Sequence, residues 1–117
     1  VRACGDTDGE RAGWVAFGVG KGMIGADVAV ALAQPAIAVR DYRIDGRVVD
    51  CPKGVCADTS LPGGRNDILA FDGRTYTRAD GSPGMQVKFV RLLNTGDTVG
   101  DRVWSAGAND VVWAKSA

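Results

Sequence analysis

The stretch GWVAFGVGKGMIGADVAVALA, residues 13–33, decides the fold class of this chain. Residues 14–19 are rich in aromatic and β-branched side chains, which predicts a strand. Residues 27–33 alternate larger aliphatic side chains with alanines, which predicts a second strand with two distinct faces. A helix is the alternative, because alanine favours helices. This run is short, however, and lies between Gly25 and Pro35, which favours a strand.

Met23 lies in the glycine-rich elbow between these two runs, beside Gly22 and Gly25. A methionine at such a place either fills a gap at a corner of the fold or points at a ligand. We expect its sulfur to lie on the inner side of the elbow and to face a pocket or the core rather than bulk water.

The same alternation predicts further strands along the chain. Residues 36–44 alternate and are expected to pair with the preceding strand as a hairpin across the Gln34-Pro35 turn. Residues 45–66 are irregular and full of turn signals. The remaining predicted strands are 67–71 and 75–78, about a turn at Asp72-Gly73, then 85–93 and 110–114. Seven short strands at this spacing predict an all-β fold, an antiparallel β-sandwich.

The length and composition indicate one soluble globular domain, with 117 residues of which 45% are hydrophobic and 24% charged. Residues 1–12 are polar and turn-rich, so they are predicted to form a loop or a sheet edge, and residues 13–117 form the domain. No signal peptide opens the chain. An exported protein would therefore begin after its processing site or inside a longer polypeptide.

The charges balance, with 14 basic and 14 acidic residues. This balance gives no electrostatic footprint for nucleic acid and no polybasic patch for a membrane surface. No apolar run approaches the roughly 20 residues that span a bilayer. We therefore expect neither a nucleic-acid partner nor a membrane span.

Histidine is absent from the sequence. Its absence excludes a Ser-His-Asp triad, a Cys-His pair and a histidine-based zinc site within these residues. No convergent acid–base set is apparent in the sequence either. We predict that the chain is not an enzyme, and no catalytic residue is assigned.

Cys51 and Cys56 enclose a four-residue stretch that must turn, and a small disulfide-closed loop is the favoured interpretation. A redox pair or half a zinc site is the alternative, but the spacing is not C-x-x-C and no second pair exists. Cys4 is left over, and it pairs either outside this sequence or with one of the other two. Together the cysteines favour an oxidising, extracytoplasmic setting.

Four segments carry a family likeness in a fixed order over residues 13–115: GWVAFGVGKGMIGADVAVALA, RDYRIDGR, VKFVRLLNTGD and NDVVWAK. Together they resemble the DOMON domain. The resemblance implies an extracellular β-sandwich similar to the haem domain of cellobiose dehydrogenase and to domains of dopamine β-hydroxylase-like proteins. Such domains are associated with haem or sugar binding and often adjoin other domains. Members have one or two strands before the Gly-Trp strand, so the first strand is expected to be missing here or supplied by another segment.

The resemblance also implies candidate ligands for haem b. Haem-binding members use a methionine and a histidine; Met23 matches the methionine, but the histidine has no counterpart in this sequence. The second ligand is expected to be Lys115, Met85 or a residue beyond Ala117. A solvated lysine at a strand end and a methionine that points into the core are the competing interpretations, and packing is the favoured role of Met23.

The three tryptophans are given different roles. Trp14 and Trp113 lie in predicted strands and are expected to anchor the core. Trp104 lies in a loop-like segment, so it is expected to be exposed and is the candidate contact for a carbohydrate or a protein.

Acidic loop residues make calcium conceivable, because calcium takes oxygen ligands. No dense D-x-D-x-D-G loop is present, so no metal site is predicted. Asp41 is expected to be a surface charge or to pair with Arg40 or Arg43. The acidic loop residues concerned are Asp6, Asp8, Asp97 and Asp101.

Three functions remain open from the sequence. The first is a non-catalytic extracellular module that binds a ligand or a protein within a larger protein. Its partners would be neighbouring domains or chains, or a carbohydrate. The second is a b-type haem electron-transfer domain with Met23 as one axial ligand. The third is a purely structural module of an extracellular assembly.

Overall fold

The computed structural model describes residues 2–6, 13–33 and 36–115. These residues form strands and one short 3₁₀ helix, with no α-helix among them. The strands are β1 (Arg2–Asp6), β2 (Trp14–Val19), β3 (Ala26–Leu32), β4 (Ala38–Ile44), β5 (Val55–Ala57), β6 (Ala70–Thr77), β7 (Pro83–Val90) and β8 (Val111–Lys115), and the 3₁₀ helix is Asp58–Ser60.

The strands build two antiparallel sheets. One sheet has five strands in the order β5-β4-β3-β2-β8, and the other has three in the order β1-β7-β6. A buried apolar cluster joins the two sheets. The fold is therefore all-β, an antiparallel β-sandwich, as the sequence predicts.

The core lies between the inner faces of the sheets. Strand alternation turns one residue in two of β2, β3 and β7 toward it. Burial of each aliphatic side chain contributes about 1.5–3 kcal/mol, so this cluster holds the two sheets together. Its members include Val15, Val19, Ala29, Ala31, Val39, Met85, Val87, Phe89 and Trp104.

The opening stretch folds as the pair β2–β3, in antiparallel register from Trp14 opposite Leu32 to Val19 opposite Asp27. The elbow between them turns at Gly25, whose φ of +83° is in the left-handed region that favours glycine. The amide of Ala26 donates to the Met23 carbonyl at 3.2 Å and closes the turn. Strands β3 and β4 also pair antiparallel, as the hairpin prediction requires.

Two predicted short strands are in fact one strand. The expected turn at Asp72-Gly73 is wrong, because both residues lie inside β6. Gly73 stands opposite Val87 in the β6–β7 ladder. A Cβ at Gly73 would meet Val87 Cγ1 at 2.8 Å and Ile37 Cγ2 at 2.9 Å. This glycine therefore permits close packing within a strand rather than a turn.

The segment before the Gly-Trp strand contains β1, so the expectation of a missing first strand is wrong. β1 pairs with β7 at the edge of the three-stranded sheet, which agrees with the prediction of a sheet edge. Polar residues suit an edge strand, since one side of it has no neighbour to pair with. The segment predicted to be irregular also contains β5, which pairs with β4.

Within the described residues, no helix has the length and apolar character that a membrane crossing requires.

Candidate functional site

Five aspartates from distant parts of the chain meet at one end of the sandwich, and we call them the carboxylate cluster. All five side chains are buried, and Asp27 and Asp58 are 0% exposed. β3 and β4 carry one aspartate each, the 3₁₀ helix one, and the loop after β7 two. The members are Asp27, Asp41, Asp58, Asp97 and Asp101.

Asp27 is the member of the cluster that pairs with a buried cation. Its Oδ2 accepts hydrogen bonds from Arg91 Nη1 at 2.8 Å, from the Arg102 amide at 2.8 Å and from Trp104 Nε1 at 3.0 Å. Its Oδ1 is buried without a hydrogen-bond partner. β3 places this carboxylate inside because Asp27 shares the inward face of the strand with Ala29 and Ala31, which lie in the core.

Arg91 is the buried cation of the cluster, with a side chain that is 2% exposed. Besides Asp27, it faces Asp101, whose Oδ2 lies 3.7 Å from Nη2. Nε donates to the Leu92 carbonyl at 3.0 Å and Nη2 to the Arg102 carbonyl at 3.1 Å. The guanidinium also lies 4.4 Å from the centre of the Trp104 ring, a cation–π distance. These contacts fix Arg91 between the core and the carboxylates.

The carboxylates of Asp41, Asp58 and Asp101 have fewer hydrogen-bond donors around them than they have oxygens. Asp41 Oδ2 accepts from the Asp67 amide at 3.2 Å, and Asp101 Oδ2 accepts from the Thr95 hydroxyl. The second oxygen of each is buried without a partner. No N–H or hydroxyl group of the described residues donates to either oxygen of Asp58, whose hydrogen-bonding neighbour is the carboxyl of Asp101.

Asp97 differs, because backbone amides satisfy it. Its Oδ1 accepts from the amides of Val99 at 3.0 Å and Gly100 at 3.3 Å, and its Oδ2 accepts from the Arg65 amide at 3.0 Å. Asp97 therefore shapes the loop that presents Asp101.

Burial and mutual repulsion disfavour charge on the carboxyls of Asp41, Asp58 and Asp101. Burial, followed by the charges of Asp101 and Asp27, raises the pKa of Asp41 to about 8. Burial, followed by the neighbouring Asp101, raises the pKa of Asp58 to about 9. Burial also raises the pKa of Asp101. Such shifts are expected where several acids are buried beside one cation.

The cluster contains two triads of carboxylates whose oxygens are close enough to share a cation. In each triad the three oxygens lie within 4.8 Å of one another. Asp101 belongs to both triads. The first consists of Asp27, Asp41 and Asp101, and the second of Asp58, Asp97 and Asp101.

A second feature lies on the outer face of the five-stranded sheet. A pocket of about 220 Å³ opens there beside Met23. Met23 lines this pocket and is 42% exposed, so its side chain does not fill the core. The expectation that Met23 faces a pocket is therefore met, but the preferred role of buried packing is wrong. The other lining residues are Ala16, Val28, Ile44, Val112, Trp113 and Ala114.

The proposed second ligands for haem lie elsewhere. Met85 is 0% exposed and packs in the core between the sheets. Lys115 stands opposite Val15, whose side chain faces the core, so it points to the other side of the sheet from Ala114 and the pocket. These candidate second ligands do not meet Met23 at one pocket. The described residues therefore do not fit a two-ligand haem site.

The roles of the tryptophans are the reverse of those expected. Trp104 is 5% exposed and packs edge-on against Phe89 in the core, so it is not an exposed platform for a carbohydrate. Trp113 is 68% and Trp14 38% exposed, so neither is a core anchor. The loop holding Trp104 folds inward because its indole N–H reaches Asp27. Trp113 is exposed because β8 is an edge strand.

The cysteine prediction is confirmed in part. Cys51 and Cys56 form a disulfide with a Cα–Cα distance of 5.7 Å. It closes the loop before the short strand β5. The backbone of Cys4 stands opposite Gln86 in the β1–β7 ladder, and the pairing of its thiol stays a prediction.

The expected surface role of Asp41 is wrong, since Asp41 is buried and Arg43 pairs instead with Asp45 at 3.1 Å. The sequence analysis also gives no role to Asp27, Asp58 or Arg91. For Arg91 a signal exists, because in VKFVR it falls on the same alternating face as two core residues. Asp27 likewise interrupts an apolar strand. A charge at an inward position indicates a buried partner, although not which one.

No family model matches this chain, and no curated protein and no solved structure matches it either. The resemblance to the DOMON domain therefore stays a prediction.

Proposed function

We propose that this chain is a non-catalytic binding module that docks an apolar surface of another protein on the outer face of its five-stranded sheet. The pocket beside Met23 is the observation that carries the proposal, since every residue that lines it is apolar. Met23 at its border is 42% exposed. Exposed apolar patches of this kind mark interaction sites more often than isolated surface residues do.

The neighbouring residues extend this apolar surface. Ala16, Ala26 and Val28 form a small buried cluster on the outer face, and partly buried side chains pack against it. Ile24, in the elbow, is 53% exposed. Methionine is favoured at protein interfaces because it contributes a large, adaptable contact area.

The size of the pocket favours a protein over a small molecule. Pockets for drug-sized ligands and cofactors occupy roughly 300–1,000 Å³, whereas this pocket has about 220 Å³ and is open. It suits one or two side chains of a partner. The apolar lining also offers few hydrogen bonds to a carbohydrate, which needs them for recognition.

The proposed setting is extracellular. The Cys51–Cys56 disulfide supports it, since disulfides persist in oxidising compartments. The DOMON resemblance supports it as well. The partner would then be a neighbouring domain or chain of an extracellular protein. The carboxylates are buried and closed to a substrate, which supports a non-catalytic role.

A displayed library of random peptides, selected on the immobilised chain, tests the proposal. We expect the selected peptides to carry aromatic or aliphatic anchors. Their affinity, measured by fluorescence anisotropy, should fall at least about tenfold for Met23→Glu, since a charge at the border of the pocket must be desolvated on docking.

Val90→Glu is the matched control, because Val90 is 56% exposed and lies on β7, in the other sheet. Peptides should bind this variant as they bind the wild type. Equal affinity for Met23→Glu and the wild type would refute the assignment of the binding face, as would an equal loss with Val90→Glu.

A further inference from the structure

We propose that the carboxylate cluster is a calcium-binding site, with Asp101 as the ligand shared by its two triads. The proposal is independent of the docking face. It rests on three features: oxygens that converge, oxygens that have no hydrogen-bond partner, and an excess of negative charge.

Convergence is the first feature. The oxygens of each triad lie within 4.8 Å of one another. Two oxygens that bind the same Ca²⁺ at about 2.3–2.6 Å lie at most about 5 Å apart. The spacing of both triads is therefore compatible with calcium coordination. An ion in the first triad would tie β3 and β4 to the loop after β7, and an ion in the second would tie the 3₁₀ helix to that loop.

Asp58 provides the second feature, which is independent of the convergence. Its side chain is 0% exposed, and among the described residues no N–H or hydroxyl group donates to either of its oxygens; its hydrogen-bonding neighbour is the carboxyl of Asp101. Burial of a carboxylate without a partner is costly, and buried charges are normally paired or bound to a metal. Gly100 leaves room for it, since a Cβ there would lie 2.0 Å from Asp58 Oδ2. A bound cation would satisfy these oxygens.

Charge is the third feature. Among the cluster residues and their described contacts, Arg91 is the cation whose side chain reaches the buried carboxylates. One guanidinium cannot balance five carboxylates. Asp27, Asp41 and Asp101 each retain one buried oxygen without a partner, in addition to the two of Asp58.

The ligand chemistry selects calcium among the common cations. Every candidate ligand is a carboxylate oxygen, which hard cations prefer, whereas zinc prefers nitrogen and sulfur. Magnesium demands near-ideal octahedral geometry and keeps several waters. Calcium tolerates irregular geometry and more carboxylates, so it suits a buried cluster of aspartates.

Calorimetric titration of the chelator-stripped chain with CaCl₂ tests the proposal, alongside thermal unfolding with and without calcium. We expect saturable binding and a higher unfolding midpoint in calcium, because an ion that binds the folded chain stabilises it. Terbium gives a spectroscopic readout. The Trp104 indole lies 3.0 Å from Asp27 Oδ2, so excitation of tryptophan should produce Tb³⁺ luminescence that calcium displaces.

Asp58→Asn is the decisive variant. It should weaken calcium binding at least about tenfold. It should also raise the unfolding midpoint of the calcium-free chain, since a neutral amide avoids the cost of burying or protonating a carboxylate on folding. If Asp58 only stabilised the fold, Asp58→Asn would instead lower the unfolding midpoint of the calcium-free chain. Asp72→Asn is the control, because Asp72 is an exposed acid of β6, and its calcium affinity should equal that of the wild type.

Asp101→Asn provides a second variant if Asp58→Asn does not fold, and it should lose binding as well. The absence of both saturable heat and terbium luminescence in the wild type would overturn the proposal, leaving protonation as the means of neutralising the cluster. Unchanged calcium affinity in Asp58→Asn would overturn it too. Tighter binding of magnesium than of calcium would overturn the choice of ion.

Discussion

Replacement of Arg91 by methionine removes the positive charge that lies among the buried carboxylates. The substitution keeps much of the apolar stem and deletes the guanidinium. It breaks the 2.8 Å pair with Asp27, in which the two side chains are 2% and 0% exposed. It also removes the hydrogen bonds to the Leu92 and Arg102 carbonyls and the contact with Trp104.

The expected cost follows from these contacts. Removal of one partner of a buried ion pair costs about 3–5 kcal/mol, because the remaining charge stays buried. Asp27 keeps two other donors, the Arg102 amide and the Trp104 indole, which limits the penalty. The Leu92 and Arg102 carbonyls each lose a hydrogen-bond donor, which increases the penalty. We therefore expect the free energy of unfolding to fall by about 4 kcal/mol. A typical domain has a free energy of unfolding of roughly 5–15 kcal/mol, so this is a large share of it.

Urea unfolding in the presence of chelator measures this loss. With a urea m-value of about 2 kcal/mol/M, a loss of about 4 kcal/mol lowers the midpoint by about 2 M. Arg74→Met is the control, since Arg74 is exposed on β6 and its guanidinium lies 5.1 Å from the Tyr76 ring centre. The free energy of unfolding of Arg74→Met should stay within about 0.5 kcal/mol of the wild-type value.

The reasoning would be refuted by a midpoint for Arg91→Met within about 0.5 M of the wild type at an unchanged m-value. That result would mean that the carboxylates are already neutral and that Arg91 adds little. A changed m-value would instead indicate that the folded or the unfolded state has changed in compactness. The stabilities of Arg91→Met and the wild type would then be compared by hydrogen exchange of the β3 amides.

Three further predictions concern the same interior. Trp104→Phe should lower the free energy of unfolding by about 1–3 kcal/mol through the lost indole bond, whereas Trp113→Phe should stay within about 0.5 kcal/mol in thermal unfolding. Gly18→Ala should cost about 1–3 kcal/mol or more, because its Cβ would lie 2.0 Å from the Asp27 carbonyl; Gly22→Ala, with open space, is its neutral control in urea unfolding. In chelator, the unfolding midpoint should rise as the pH falls from about 9 toward 6. Burial and then Asp101 raise the pKa of Asp58 from 3.8 to about 9, so between these values the folded chain holds a proton that the unfolded chain has lost. A flat pH profile would contradict this reasoning.

Local alternation explains how much of the fold the sequence predicts. β2 begins and ends where predicted, β3 is shifted by one residue at both ends, and β4 begins two residues later than predicted. In these strands the side chains alternate in size or polarity with a period of two, which indicates a strand whatever lies at a distance in sequence. The disulfide is likewise local, since only four residues separate its cysteines.

Predictions failed where distant residues decide the conformation. Gly73 looks like a turn residue, but its place in β6 depends on close packing with Val87 and Ile37. Trp104 lies in a loop-like segment, but its burial depends on Asp27, 77 residues away in sequence. Likewise, Arg91 and Asp27 are 64 residues apart. No local pattern encodes these pairings, although the inward position of each charge signals that a partner exists.

Strand β3 connects the two proposed sites and also keeps them separate. Its alternation turns Asp27 into the carboxylate cluster, while Ala26 and Val28 belong to the outer apolar cluster. A bound ion would therefore act one residue away from the docking face, through the backbone of a strand that is hydrogen-bonded on both sides. Such a strand resists local opening. We therefore infer that the ion would stiffen the docking face without contacting a partner, and that each site could be removed while the other remains.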